Sequence, residues 1–288
     1  MATSALSIKR VERLGAATWI QTAAVVALTA ALYVRVIPDL AVEWWTEEAS
    51  SYGMLVPPMA LYIAYQRRQI TLSLPAKPDV RGLWLVGLAC MVFLAGRLAA
   101  EFFLSRISFV LLLAGFAWTF WGAARFRTLL FPFILLGTMV PLPAILFTSI
   151  AAPLQLFASA IATELAQLLG VSIYRDGNVI HLATTSLGVA EACSGLNSLS
   201  SLVVASLLLG FVENSSLIGR ILLFALAVPL AIAVNVIRVT GTALLADYEP
   251  SLAVGFYHTF SGWLMFVLGF GMLWLLAKLI FRWTAAKV

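Results

Sequence analysis

Eight apolar runs, most of them near the length that crosses a bilayer, limit what this chain can fold into. They fall at roughly 15–36, 53–66, 82–100, 103–122, 129–149, 194–212, 219–240 and 258–278. A helix needs ~20 apolar residues to span the hydrocarbon layer. Backbone in lipid must satisfy its own hydrogen bonds, which leaves helices or closed barrels. Charged residues make up only 11% of the chain, against ~25% in soluble domains. The sequence therefore predicts an all-α polytopic membrane protein of about eight transmembrane helices. Residues 1–288 read as one integral membrane domain with no fused soluble domain. The run at 53–66 is short and holds Pro57 and Pro58, so a tilted or broken helix is expected there.

Charge sets the orientation. The net charge of +5 does not point to nucleic acid, because the basic residues sit in short clusters between apolar runs. Such clusters mark cytoplasmic loops. With a cytoplasmic N-terminus, the inner segments hold Lys9, Arg10, Arg13, Arg67, Arg68, Lys77, Arg81, Arg125, Arg127, Arg220, Lys278, Arg282 and Lys287. The outer ends hold only Arg35, Arg97, Arg106, Arg175 and Arg238. Thirteen basic residues against five is a clear positive-inside bias. No signal peptide is evident, since the first apolar stretch is long and lacks a small-residue cleavage site.

The run 144–169 is the ambiguous one. Pro141, Pro143 and Pro153 interrupt the region, and Gln155, Ser159, Thr163 and Gln167 recur every fourth position as a polar stripe. A full crossing would invert the later loops and put Lys278 and Arg282 outside. An amphipathic or re-entrant helix on the outer face is expected instead. After it, Val171–Tyr174 and Val179–Leu182 are β-prone, with the turn signal Arg175-Asp-Gly-Asn178 between them. A small outer hairpin should lead through Leu187-Gly-Val-Ala190 towards Cys193.

Chemistry concentrates at the predicted outer ends. Cys193, Arg238 and His258 lie at the ends of three separate apolar runs, and this topology puts them on one side. A thiol is mostly protonated at neutral pH, and nearby positive charge or a helix N-terminus favours the reactive thiolate. An imidazole can move the proton, and a guanidinium can stabilise developing negative charge. Ser194, Gly195 and Asn197 supply nearby donors for an oxyanion site, and Glu191 lies just before the cysteine. Asn235 is three residues before Arg238, so the two share a helix face. The bland readings treat Cys193 as a core filler, Arg238 as a snorkelling cation and His258 as an interface histidine. Elsewhere, Cys90 reads as a small buried apolar residue, His181 as a solvated histidine, and Arg97, Glu101 and Arg106 as a local ion-pair group. No Cys/His cluster has metal-ligand spacing, and no cofactor is expected.

The strings Glu191-Ala-Cys-Ser-Gly-Leu-Asn197, Asn235-Val-Ile-Arg238 and Tyr257-His-Thr-Phe-Ser-Gly262, in this order, resemble the exosortase/archaeosortase family of membrane-embedded cysteine proteases or transpeptidases. Ser50-Ser-Tyr-Gly-Met-Leu-Val-Pro-Pro58 and Arg175-Asp-Gly-Asn-Val-Ile180 extend the resemblance over most of the chain. Tyr52 stands where the family's early motif usually carries histidine, so no catalytic role is assigned to it. The resemblance implies a bacterial inner-membrane enzyme whose active site faces the periplasm. Its partners would be membrane lipids and exported proteins with a C-terminal Pro-Glu-Pro sorting tail, in a setting of exopolysaccharide production. It also implies a thioester on Cys193, with Arg238 and His258 as its catalytic partners. The alternative is a non-enzymatic transporter or scaffold of an exopolysaccharide export system, with Arg238 and Glu191 as pore charges.

Overall fold

The structure, a computed structural model, describes residues 20–189, 196–213, 216–253 and 256–285, excepting the side chains of 196–197, 252–253, 256–259 and 284–285. Its helices are α1 (Ile20–Leu32), α2 (Val36–Thr46), α3 (Val56–Gln66), α4 (Arg68–Ser73), α5 (Gly82–Leu98), α6 (Phe102–Gly137), α7 (Ala144–Leu168), α8 (Leu196–Val212), α9 (Leu217–Tyr248) and α10 (Phe256–Ala285). A three-stranded sheet, β1 (Ile173–Asp176), β2 (Val179–Leu182) and β3 (Ser186–Gly188), lies between α7 and α8. The expected multi-pass, all-α membrane architecture is present. The expected count of eight spans is not reproduced. Among the described residues, four helices are long and apolar enough to cross a membrane, or up to five if the bent pair α1–α2 is one span.

The differences have local causes. Pro57 and Pro58 occupy the first positions of α3, where a missing N–H costs nothing. They open an 11-residue helix and do not break a longer one. The runs 103–122 and 129–149 are joined in α6, which departs from helical geometry at Gly122 (φ 80°, ψ 166°). Only glycine takes that φ without strain, and a Cβ there would collide with the Lys77 carbonyl. The second run then stops at Gly137, short of Pro141 and Pro143.

The chain divides into two compact units. The described part of the first comprises residues 20–46 and 68–129. Here α5 and α6 approach closely through small residues. A Cβ on Gly96 would lie 2.6 Å from the Ser105 backbone nitrogen, and one on Gly115 would lie 2.8 Å from Val86. Small residues of this kind let backbones pack where lipid offers no hydrophobic drive. Tyr33, between α1 and α2, is buried with its ring 5.0 Å from those of Phe93 and Phe109. Its hydroxyl pairs with Ser108 at 2.8 Å. Arg106 meets Glu43 at 2.6 Å, both largely buried. This corrects the expected Arg97–Glu101–Arg106 group, for Glu101 instead accepts from the Leu104 N–H. Cys90 is exposed on α5, not buried as expected.

The described part of the second unit comprises residues 47–67, 130–189, 196–213, 216–253 and 256–285. Helices α8, α9 and α10 pack side by side in alternating direction. Their levels are fixed at one layer, where a Cβ on Gly269 would lie 3.1 Å from Leu202 and 3.5 Å from Val234. Above that layer lie the start of α8, the last turns of α9 and the start of α10. Below it lie Arg67, Arg220, Lys278 and Arg282. Arg67 and Arg220 both approach the Phe211 ring, at 4.4 Å and 6.0 Å.

Helix α7 corrects the sequence reading most. It is one unbroken 25-residue helix, about 37 Å long at 1.5 Å per residue. It qualifies by length and composition as a candidate span, where an amphipathic or re-entrant helix was expected. Its buried Ala162 and Ala166 pack on Val239, Ala243 and Ala246 of α9 and on the inner face of the sheet, Ile180 and Leu187. Two of the four stripe residues bond to that sheet. Ser159 donates to the Gly177 carbonyl at 3.3 Å, and Gln167 donates to the Ile173 carbonyl at 2.8 Å. A stripe that reads as a water-facing surface is thus a docking surface for the next 20 residues.

Candidate functional site

The expected hairpin is present, and a third strand extends it. β1 pairs β2 and β2 pairs β3, both antiparallel. Tyr174, His181 and Ser186 form one cross-strand row. Tyr174 and His181 stack at 4.6 Å, and His181 Nδ1 lies 2.8 Å from Ser186 Oγ. His181 is therefore a partnered surface histidine. Strand β3 escaped the sequence reading because Ser186-Leu187-Gly188 is too short for a periodic signal. It ends five residues before Cys193, so the sheet, anchored on α7 and α9, fixes where the approach to that residue begins.

Glu191, Cys193, Ser194 and Gly195 lie outside the described residues, and Asn197 and His258 are placed on helix backbone alone. Asn197 is in the first turn of α8 and His258 in the first turn of α10. Arg238 and Asn235 are described in full. Both are buried, with 9% and 6% of their surface exposed. They lie on α9 above the layer of Leu202, Val234 and Gly269.

Gly262 is the residue whose importance the sequence reading understated. A Cβ built on it would lie 3.0 Å from Arg238 Nη2, 3.3 Å from Cζ and 3.6 Å from Nη1. The nearest atom is Nη2, so the missing side chain makes room for that end of the guanidinium. Gly262 follows His258 by four residues, about one helical turn. The glycine thus seats the arginine one turn from the histidine. Asn235 Oδ1 adds a second feature. It is buried and accepts no hydrogen bond from the described residues, a state that typically costs about 1–3 kcal/mol. Such a group is an acceptor waiting for a donor.

Tyr52 sits on the 3₁₀ turn Glu48–Met54, which packs against α8. Its hydroxyl pairs with Ser200. The early Ser50–Pro58 motif thereby ties to the helix that follows Cys193, a link the sequence alone did not show. Among the described residues, no group of three or more His, Cys, Asp or Glu side chains could hold a metal ion.

The chain matches the family described as transmembrane exosortase (Exosortase_EpsH) over residues 44–275. That match covers most of the sequence, and the chain belongs to this family. No curated protein and no solved structure gives a significant match.

Proposed function

We propose, from membership of the transmembrane exosortase family, that this chain is a membrane-embedded cysteine protease or transpeptidase. It would act on the C-terminal sorting tails of exported proteins. The observation that carries the reading is the guanidinium of Arg238 seated on Gly262, one turn after His258. A cation held in the outer half of α9, level with the early turns of α10, is the surrounding a nucleophilic thiolate needs.

In this mechanism His258 takes the Cys193 proton, and the thiolate attacks the scissile carbonyl of the tail. Negative charge on the carbonyl oxygen is met by Arg238 and by donors at Ser194, Gly195 and Asn197. Collapse breaks the C–N bond, and His258 returns the proton to the leaving amine. Water or an acceptor amine then attacks the Cys193 thioester and releases the thiol. Asn235, on the same helix face as Arg238, offers its open Oδ1 to a substrate donor, and Glu191 supports the approach to the cysteine. The site faces the periplasm of a bacterial inner membrane, because Arg67, Arg220, Lys278 and Arg282 lie at the opposite end of the same helices. The Pro-Glu-Pro form of the tail and the exopolysaccharide setting follow from the family resemblance.

The test is to incubate purified enzyme in liposomes with a labelled sorting-tail substrate. A thioester-linked adduct should form that depends on Cys193 and is released by hydroxylamine. Cys193→Ala should still insert but form none. Full processing by Cys193→Ala would reject covalent catalysis and favour the transporter or scaffold reading. Tail turnover should also show a pH inflection that His258→Gln removes, since an ordinary imidazole titrates near pH 6.5.

A further inference from the structure

The two edges of the outer sheet are not equivalent. The strand register and loop bonds identify which backbone groups point where. Leu182 donates to the Thr185 carbonyl at 2.8 Å, and Val189 donates to the Asn178 carbonyl at 2.9 Å. These are successive hydrogen-bonded positions of the β2–β3 ladder, whose register also pairs Ile180 with Leu187. In an antiparallel ladder the bonded pairs alternate with non-bonded ones. Ser186 and Gly188 are therefore the non-bonded residues, and their N–H and C=O groups point away from β2. None of the described hydrogen bonds involves these four backbone groups. On the far side of the sheet the corresponding outward groups belong to Ile173 and Arg175. There the Ile173 carbonyl is taken by the Gln167 amide of α7. The β1 edge has one outward group taken by α7, whereas the β3 edge has none taken.

An open edge is a template for another strand. Its chemistry, donor and acceptor pairs repeating every second residue, is matched by an extended polypeptide and by no other common ligand. Ser186 is exposed and Gly188 carries no side chain, so a backbone can approach. Leu187 points inward to the sheet core, which holds the strand while its edge stays available.

We infer that β3 binds an extended segment of the substrate polypeptide as a fourth strand, through the outward N–H and C=O groups of Ser186 and Gly188. The added strand lies directly upstream of the segment leading to Cys193. The sheet thus serves as the rail that sets the register of the tail against the nucleophile. This inference rests on the proposed tail-processing function and adds the mode of binding.

The experiment uses the full-length protein in liposomes with a fluorescent sorting-tail peptide. Ser186→Pro deletes one outward N–H but no β2–β3 ladder bond, since proline is tolerated on such an edge. Ser186→Ala loses the His181 contact and keeps the N–H. Peptide affinity should fall about ten-fold in Ser186→Pro, the upper end for one lost hydrogen bond, and stay near wild type in Ser186→Ala. A second measurement needs no variant. Peptides carrying single backbone N-methyl groups should lose binding to wild-type protein at alternate residues along one stretch. Equal affinities of the proline and alanine variants, or loss without a two-residue period, would overturn strand addition. Neither result would touch Cys193-dependent processing. Absence of any Cys193 thioester with the unmodified tail would instead reject the function itself.

Discussion

Two buried arginines, one in each unit, are accommodated in opposite ways. Arg106 faces Glu43 at 2.6 Å. Arg238 rests with its guanidinium against Gly262, on the same helix face as the unmatched Oδ1 of Asn235. An arginine in an apolar segment is expensive unless it is paired or functional. In the first unit an acid offsets that cost, and the pair ties α2 to α6. In the second unit the neighbouring helix has surrendered a side chain to make room for the cation, and a buried acceptor beside it is left open. The first arrangement is what stability requires. The second leaves a buried acceptor open beside the cation, the kind of local cost that functional positions carry.

The largest expected effect tests the second half of that contrast. Arg238→Ala should cut tail processing by about 10²–10³-fold, the scale for losing a transition-state donor, approaching the zero set by Cys193→Ala. Arg238→Lys should recover part of it, because lysine keeps the charge without the planar fork. Processing by Arg238→Ala at the wild-type rate would make the two arginines alike. The next effect concerns the first half. Glu43→Gln should destabilise the protein by on the order of 3 kcal/mol, as expected when a buried pair loses one partner. Thermal unfolding in detergent measures it, and turnover per folded molecule should be unchanged. A fall in turnover with no loss of stability would reverse the assignment.

Gly262→Ala sharpens the comparison further. The new methyl would sit 3.0 Å from Arg238 Nη2, so the guanidinium must give by a few tenths of an ångström. A roughly ten-fold loss of turnover is expected at near-native stability, since small misplacements are costly to catalysis. Full activity would show that the seat is not used. The smallest effect lies in the first unit, at the loop before α5. The Arg81 N–H bonded to Asp79 holds that carboxyl below its ordinary range. A depressed pKa gives stability that is present above the unfolded value and lost as pH falls through the folded one. Asp79→Asn should therefore leave neutral stability nearly unchanged and slightly reduce the acid sensitivity of unfolding below pH 4, measured by unfolding scans.

Composition and run length were enough to show a polytopic helical protein, because lipid leaves the backbone few options. The motif strings were enough to show the family. Span boundaries were less legible. Gly122 breaks α6 because the Lys77 carbonyl comes close, and no local pattern announces such an approach. The polar stripe of α7 was seen correctly and explained wrongly, since periodicity shows that a face is polar but not what covers it. Asn235 and Arg238 were legible as costly residues in an apolar run. The seat on Gly262 was not, because it depends on the relative level of two helices.

That same stripe has a consequence for biosynthesis. Gln167 obtains its partner at Ile173 only after the residues that follow α7 have been made, whereas Ser159 also bonds the Leu156 carbonyl of its own helix. A ribosome adds about 5–20 residues per second, so the sheet trails its helix by about one to four seconds. During that interval the Gln167 amide lacks the partner that the folded chain gives it. The packing of α7 is therefore completed by the sheet and not by the helix alone.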